Sequence, residues 1–375
     1  MNDQITTAKE GSFARFTIEK RVPSILSDLV SHNRFSSAVE FSLKAFMESV
    51  PAGSLTTLDT SYPFSAGINA SLENHCDYNW LNAPFLFLEN YLYHKIAEIC
   101  GFFSNRHDYF LYKKEADIRG GREKISRELQ RINSIHSFPE ISLLNLMGNR
   151  ADLSQSSLSY SADSKSELLI DHREQATDII AESRQVHIVL DNAGEELFYD
   201  LLMVYWFFKN TGIRKIHLHF KQLPYFVSDA LISDYRHLLK ILSEDKTTEW
   251  FVRDMNRFEE EEMLVLSDNP YWSSGELYSQ IPERLAGEFS DADLVIFKGD
   301  LNYRRLVGDN DWKWDTETAS LVNYFPSDIL ISRILKCEVM TGLDQEAVPD
   351  RNKTEWMFSG NYGQLELVRS HNSGL

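Results

Sequence analysis

The sequence predicts an α/β protein in two parts. Residues 1–155 are expected to form an N-terminal all-helical domain. Residues 156–375 are expected to form a three-layer α/β/α sandwich with a mostly parallel sheet. Three observations predict this. The chain of 375 residues is longer than one ordinary core organises. Its first 150 residues or so space their apolar positions by three and four, the helical period. Its second half alternates short, continuous apolar runs with helical stretches, as strands do when helices cover both faces of a parallel sheet.

In the first part, "RVPSILSDLVSHNRF" places Val22, Ile25, Leu26 and Leu29 on one face. "FLFLENYLYHKIAEICGFF" reads as a long aromatic-rich helix, with Trp80, Phe85, Phe87 and Tyr91 in the helical core. "EKISRELQRINSI" aligns Ile125, Leu129 and Ile132. "FPEISLLNLMGNRADLSQ" closes the region, with Gly148-Asn149 as a helix stop. The Ser-rich "SQSSLSYSADSKSELL" reads as a connector. In the second part, "VHIVL" (186–190), "KIHLHF" (215–220), "DLVIFK" (293–298) and "DILISRI" (328–334) read as strands. "EELFYDLLMVYWFFK" and "DALISDYRHLLKILSE" read as helices between them. From Lys246 to Gly287 the pattern weakens, and four consecutive Glu read as a solvated face.

Bulk composition narrows the function. A formal net charge of −18 opposes nonspecific binding to nucleic acid or to an anionic membrane. It leaves room for a small basic pocket. Cys76, Cys100 and Cys337 are widely spaced, which supports neither a disulfide framework nor a zinc cluster. No run approaches 18 apolar residues, and the N-terminal stretch lacks an apolar leader segment, so the expected location is the cytoplasm.

Ligands of open α/β sheets bind beyond the carboxyl ends of the parallel strands. The first strand ends in Asp191-Asn192, followed by Ala193-Gly194-Glu195-Glu196. The second runs through "KQLPYFVSD" to Asp229. The third ends in "FKGDLNYRR", with Lys298, Asp300, Asn302 and Arg304, and the fourth in "SRILK", with Arg333 and Lys336. Asp191, Asn192 and Asp229 offer three oxygen donors and no thiolate, a set suited to Mg²⁺ or Mn²⁺. Each also has a plain alternative. Asp191 and Asp229 could cap the helices that follow them, and Asn192 could serve a turn. Glu195 fits first-turn charge at a helix N-terminus, Glu196 is a candidate to face the pocket, and Gly194 fits either a close ligand approach or a helix start. Cations near a divalent ion suit a phosphoryl group, whose charge is then shared between metal and donors. His187, His217 and His219 lie in strands and are set aside as metal ligands. No G-x-S-x-G elbow, Walker A loop or G-x-G-x-x-G fingerprint occurs.

"VLDNAGEELFYDLL", "YFVSD", "FKGDLNYRRLVGDNDW" and "SRILK" resemble the signature blocks of the metal-dependent damage-control phosphatases. They are most similar to the branch that acts on sugar phosphates, also described as an acidic-residue protein carboxyl methyltransferase. "RVPSIL", "WLNAPFLFLENYLYHKI" and "LMGNRADLS" resemble that branch's helical domain, in order. The resemblance covers nearly the whole chain. It implies that Asp191, Asn192 and Asp229 bind a divalent metal, Mn²⁺ first, with Co²⁺, Ni²⁺ or Mg²⁺ as alternatives. It implies substrate contacts from Asp300, Leu301, Asn302, Tyr303 and Arg304, and a phosphate contact from Lys336 with Arg333 in support. In the methyltransferase description, Glu196 and Asp229 would touch S-adenosylmethionine. One departure stands out: the family's Arg-Thr-x-Lys block reads Arg333-Ile334-Leu335-Lys336 here, without the Thr hydroxyl.

The expected activity is hydrolysis of small sugar phosphates of the fructose 1-phosphate or fructose 6-phosphate class, with Asp191, Asp229 and Lys336 as the catalytic set. In-line attack by water and attack by Asp191 both remain open at this stage. Methyl transfer to protein carboxylates is the rival reading, weakened by the lack of a glycine-rich loop after the first strand. A non-enzymatic sugar-phosphate or metal sensor is the third. Asn149 and Asp152 of "GNRADLS" are expected near the pocket.

Overall fold

Among the residues described by the computed structural model, 3–148, 167–351 and 353–370, seven strands form one sheet. They are β1 (Glu167–Asp171), β2 (Gln185–Val189), β3 (Lys215–His219), β4 (Leu264–Ser267), β5 (Leu294–Lys298), β6 (Asp328–Ile334) and β7 (Tyr362–Val368). Their order is β1-β7-β6-β5-β2-β3-β4. Every neighbouring pair is parallel except β6–β7. The four anticipated strands appear as β2, β3, β5 and β6, within a residue of the expected ends.

The sheet is buried on both sides because its strands alternate two apolar faces. Val186, Ile188, Leu218 and Ile296 face the helix Gly194–Asn210 and its neighbours Ile232–Ser243 and Glu249–Glu260. Ile125, Leu129 and Phe138, from helices that precede the sheet, join that same core. Val189, Val295, Phe297 and Ile331 face the opposite way, onto Leu285, Phe289, Tyr303 and Leu306. A third core belongs to the N-terminal helices, around Ile18, Leu26, Trp80, Leu88, Tyr91 and Leu92. It extends to Tyr225 and Val227 after β3 and to Leu301 after β5, so the helical part packs on the loops at the strand ends. The expected boundary at 155 and the residues Asn149 and Asp152 lie outside the described residues.

The topology places a crevice. From β2 the chain builds outward through β3 and β4, then returns to add β5 and β6 on the other side of β2. The order therefore reverses between β2 and β5, the position at which open α/β sheets leave a gap beyond their carboxyl ends. No helix among the described residues is long and apolar enough to cross a membrane.

Candidate functional site

Two loops meet at that reversal. The stretch after β2 and the stretch after β3 pair briefly as antiparallel backbone, Asn192 opposite Asp229. Ala193 N donates to Ser228 O at 2.7 Å and Ala230 N to Asp191 O at 2.8 Å. This pairing sets Asp191, Asn192 and Asp229 side by side. It requires left-handed backbone at two consecutive non-glycine residues, Phe226 (φ 44°) and Val227 (φ 69°). Such conformations persist only where the surroundings enforce them, and they gather at functional sites.

Neither aspartate caps a helix. The helix after β2 starts at Gly194 with Ala193 at its N-cap and no side-chain cap there. A carboxylate from another helix serves instead: Asp117 Oδ2 accepts from Glu195 N at 2.6 Å. Gly194 has φ +71°, and a Cβ there would lie 2.2 Å from Asp117 Oδ2, so the glycine is explained by this contact. Burial pushes the Asp117 carboxyl up to about 6 against the backbone hydrogen bond that lowers it. Glu195 stands in the first turn of that helix and pairs with Lys124 at 2.6 Å. The helix after Asp229 begins at Ile232, and its N-terminal region is served by Asp234, which accepts from Leu231 N at 2.9 Å.

A cavity of about 60 Å³ opens beside these loops, lined by Asp191, Asn192, Asp229, Asp300, Leu301, Arg304 and Lys336, with Phe226 and Cys337. Phe13, Arg21 and Glu89 close it from the N-terminal part. Asp191 reaches it because a glycine follows β5: Gly299 has φ +76°, and a Cβ there would lie 1.9 Å from Asp191 Oδ2. Asn192 is fixed on three sides. Its Nδ2 donates to Asp191 Oδ2 (2.9 Å) and Glu196 Oε2 (2.8 Å), and its Oδ1 accepts from Ser228 Oγ (2.6 Å). Lys221, buried beneath, stands 3.6 Å from Asp229 Oδ2 and is held at 3.4 Å by Leu190 O and Asn302 Oδ1. Burial pushes its ammonium pKa down. Lys114 holds the other side of the same loop, donating to Asp229 O (3.0 Å), Asp234 (2.7 Å) and Asp108 (2.8 Å).

The "KGDLNYRR" block divides between the cavity and its support. Asp300, Leu301 and Arg304 line the cavity, whereas Asn302 and Tyr303 lie behind it. Asn302 Nδ2 donates to Lys298 O (2.8 Å) and Leu190 O (3.1 Å), tying the end of β5 to the end of β2. Tyr303 hydrogen-bonds Thr341 at 2.6 Å, and its ring lies 3.5 Å beneath the Arg333 guanidinium. Arg333 is fully buried and does not line the cavity; it donates to Asp300 Oδ1 (2.7 Å), Gln364 (2.7 Å) and Val339 O (3.1 Å). Lys336 lines the cavity, and its backbone N–H donates to the other Asp300 oxygen. Lys298 is buried on the far side with Asp200 at 2.9 Å, and Glu196 sits there too, 3.8 Å from Lys298. Ile334 packs against Leu146 and Leu365, so the position where the family carries a Thr faces an apolar cluster and not the cavity.

Arg21 and Glu89 are cavity residues that the sequence reading missed. Arg21 falls in the apolar stripe of Ile18, Val22 and Ile25, and Glu89 falls among Phe85, Leu88 and Leu92. A charge on a buried helical face was the available signal. Arg304 connects them to the strand ends, pairing with Glu89 (2.6 Å) and doubly with Asp309 (2.7 and 3.0 Å) over the Phe85 ring. Burial raises the Glu89 carboxyl pKa more than Arg304 lowers it.

Residues 17–351 match the model of the damage-control phosphatase ARMT1-like domain. The chain belongs to that family. It is 28% identical to the human damage-control phosphatase ARMT1 over 94% of this chain and 95% of that one. The mouse protein of the same name is 26% identical over 97% and 98%. A crystal structure of a DUF89 family protein from Pyrococcus horikoshii superposes with a TM-score of 0.49 at 14% identity, over 86% and 93% of the two chains. Membership implies phosphatase activity on a small phosphorylated substrate.

The donor set can be tested against a metal. Among the described residues no group of three or more His, Cys, Asp and Glu is placed to hold an ion. The set here is two carboxylates and one amide. Hard divalent cations that keep several waters are bound by one or two carboxylates with neutral oxygens, whereas zinc and copper prefer His and Cys. Asn192 Oδ1 keeps a second lone pair beside its bond from Ser228, and the Gly299 gap leaves the Asp191 carboxylate room. The residues fit a hard cation.

Proposed function

We propose that the chain is a metal-dependent phosphomonoesterase acting on small sugar phosphates, of the fructose 1-phosphate or fructose 6-phosphate class. The observation that carries this reading is the shared cavity at the β2/β5 reversal, lined by Asp191, Asn192 and Asp229 together with Lys336 and Arg304. Asp191, Asn192 and Asp229 would hold the divalent ion, Mn²⁺ or a similar hard cation, which supplies Lewis acidity to a phosphoryl oxygen. Lys336 would neutralise charge that grows on the equatorial oxygens during transfer. Asp300, held through both oxygens by Arg333 and the Lys336 backbone, would orient the substrate hydroxyls. Arg333 and Asn302 act here as positioning residues. Cys337 is not a nucleophile in this reading, since burial pushes its thiol pKa up and keeps it protonated. A cavity of about 60 Å³ accommodates an ion with its waters or a phosphoryl group, so the sugar is expected to extend past Phe13 and Arg21.

The test is phosphate release from a panel of sugar phosphates with Mn²⁺, Co²⁺, Ni²⁺ or Mg²⁺ and with chelator. Metal-stimulated release from at least one substrate is expected, lost in Asp191→Ala with the fold intact by circular dichroism. No stimulated release from any substrate, or full activity in Asp191→Ala, overturns the reading.

A further inference from the structure

A second, larger cavity of about 410 Å³ is lined by Asp309, the partner of Arg304. Its volume is within the range of small-molecule sites. The helix Ser65–Asn74, the start of the helix Phe85–Ile99, the loop 274–280 and Asp309-Asn310 form its walls. Asp309 and Asn90 are the buried polar groups at its base. Asp309 spends both oxygens inward, on Arg304 and on Leu86 N at 3.1 Å. Asn90 is 5% exposed, and its Oδ1 accepts from Tyr225 OH at 2.6 Å. The Nδ2 end is left with no hydrogen bond among the described residues, although the side chain lines the cavity. Gly275, with φ +75°, runs against this amide, and a Cβ there would lie 2.5 Å from Asn90 Cγ. The Gly275 backbone thus packs against one side of the Asn90 amide, where no side chain fits.

The rest of the lining sets the ligand class. It offers amides and hydroxyls from Gln4, Ser71, Ser274, Gln280 and Asn310, and the rings of Phe64 and Phe87. No Lys or Arg is among the described lining residues, and Glu276 and Asp309 are, so a phosphate would be repelled. Planar amides that exchange hydrogen bonds with hydroxyls, beside ring faces that take C–H surface, match an uncharged sugar or polyol. We propose that this cavity is a second small-molecule site, for an uncharged polyhydroxylated compound, bound through Asn90 and separated from the inner site by the Arg304–Asp309–Glu89 cluster. The assignment is independent of the chemistry at the inner site.

Calorimetry on the full chain with D-fructose, D-glucose, D-mannitol and myo-inositol tests it, with inorganic phosphate as the charged control. At least one neutral compound is expected to bind. Gly67→Trp should weaken that binding at least about tenfold and leave the response to phosphate unchanged. Gly67 lines the cavity from an exposed helix face, and an added Cβ there meets nothing within 4 Å, so the variant fills the site without disturbing the core. Ala66→Trp, from the same rim, is the second variant should the first lose its fold by circular dichroism. No binding by any neutral compound at millimolar concentration, or equal binding by wild type and a folded variant, overturns the proposal. The second result would place the sugar elsewhere, for instance in the inner site.

Discussion

Replacing Gly299 by alanine isolates the contact that admits Asp191 to the cavity. Two costs follow. Left-handed backbone costs an L-residue about 1–2 kcal/mol, and Gly299 has φ +76°. The new Cβ would also stand 1.9 Å from Asp191 Oδ2 and 2.1 Å from its Cγ. Carbon contacts settle near roughly 3.5 Å, so the carboxylate or the start of the following helix must retreat by about 1 Å or more. A displacement of that size at a reacting centre costs on the order of 100-fold in rate, or about 2.7 kcal/mol of transition-state stabilisation. Gly101→Ala separates the two costs. Gly101 has φ +64°, but an added Cβ would meet only Asn105 Nδ2 at 3.7 Å. The expected outcome is a similar loss of urea stability in both variants. Only Gly299→Ala should lose phosphate release and Mn²⁺ affinity, read by calorimetry. Wild-type affinity and turnover in Gly299→Ala would refute the placement of Asp191 as a ligand.

Three further outcomes are expected. Lys114→Met strands Asp108 and Asp234 and frees the Asp229 carbonyl; breaking a buried pair on one side costs about 3–5 kcal/mol, which urea unfolding will read, and a loss under about 1 kcal/mol would contradict the latch. Lys336→Ala should lower kcat/KM by roughly 100- to 1000-fold while Mn²⁺ binding persists, and an unchanged kcat/KM would remove Lys336 from the phosphate contact. Burial pushes the Glu366 carboxyl from 4.5 up to about 7, against hydrogen bonds from Thr318 and Gln364. The fold therefore favours its protonated form, a stability of about 3 kcal/mol that is present below pH 4.5 and lost as pH rises to about 7. Glu366→Gln should be the more stable protein at pH 8 and should converge with wild type at low pH; equal stability at pH 8 would count against a neutral Glu366.

The parts legible in the sequence were those that depend on period and on strand ends. β2, β3, β5 and β6 are continuous apolar runs, and the polar residues after them meet at one edge because parallel strands share a direction. The missed strands lack that signal for physical reasons. β4 is a four-residue edge strand, mostly half-buried, and β1 is exposed at both ends. β7 reads "YGQLELV", in which Gln364 and Glu366 are buried as hydrogen-bonding partners of the Arg333 network. Within the site, the sequence could not distinguish lining from support. Asn302 lies four residues past Lys298, one helical turn, so its amide folds back onto the Lys298 carbonyl. Arg333 is drawn under Asp300 because a buried guanidinium over the Tyr303 ring needs acceptors, which Asp300, Gln364 and Val339 O supply. Spacing along a strand end does not encode these directions.

The division between lining and support also explains why the helical part belongs to the site. In a chain of net charge −18, the strand ends bring carboxylates (Asp191, Glu195, Glu196, Asp229, Asp300) together with cations (Lys221, Lys298, Arg304, Arg305, Arg333, Lys336). Balance comes from buried cations behind the cavity: Lys221 under Asp229, Lys298 against Asp200, Arg333 against Asp300. Buried charges hold only when their partners are fixed, so each of these pairs immobilises one wall. The loop that carries Asp229 has strained backbone on one side, at Phe226 and Val227. On the other it is held by Lys114, which belongs to the helix Leu111–Gly120. Arg304 is likewise oriented by Glu89 from the helix Phe85–Ile99. The helices before Gly148 therefore set the position of one proposed metal ligand and of one cation in the cavity, and a chain cut before β1 would keep Asp191 and Lys336 but lose the geometry that relates them to Asp229 and Arg304.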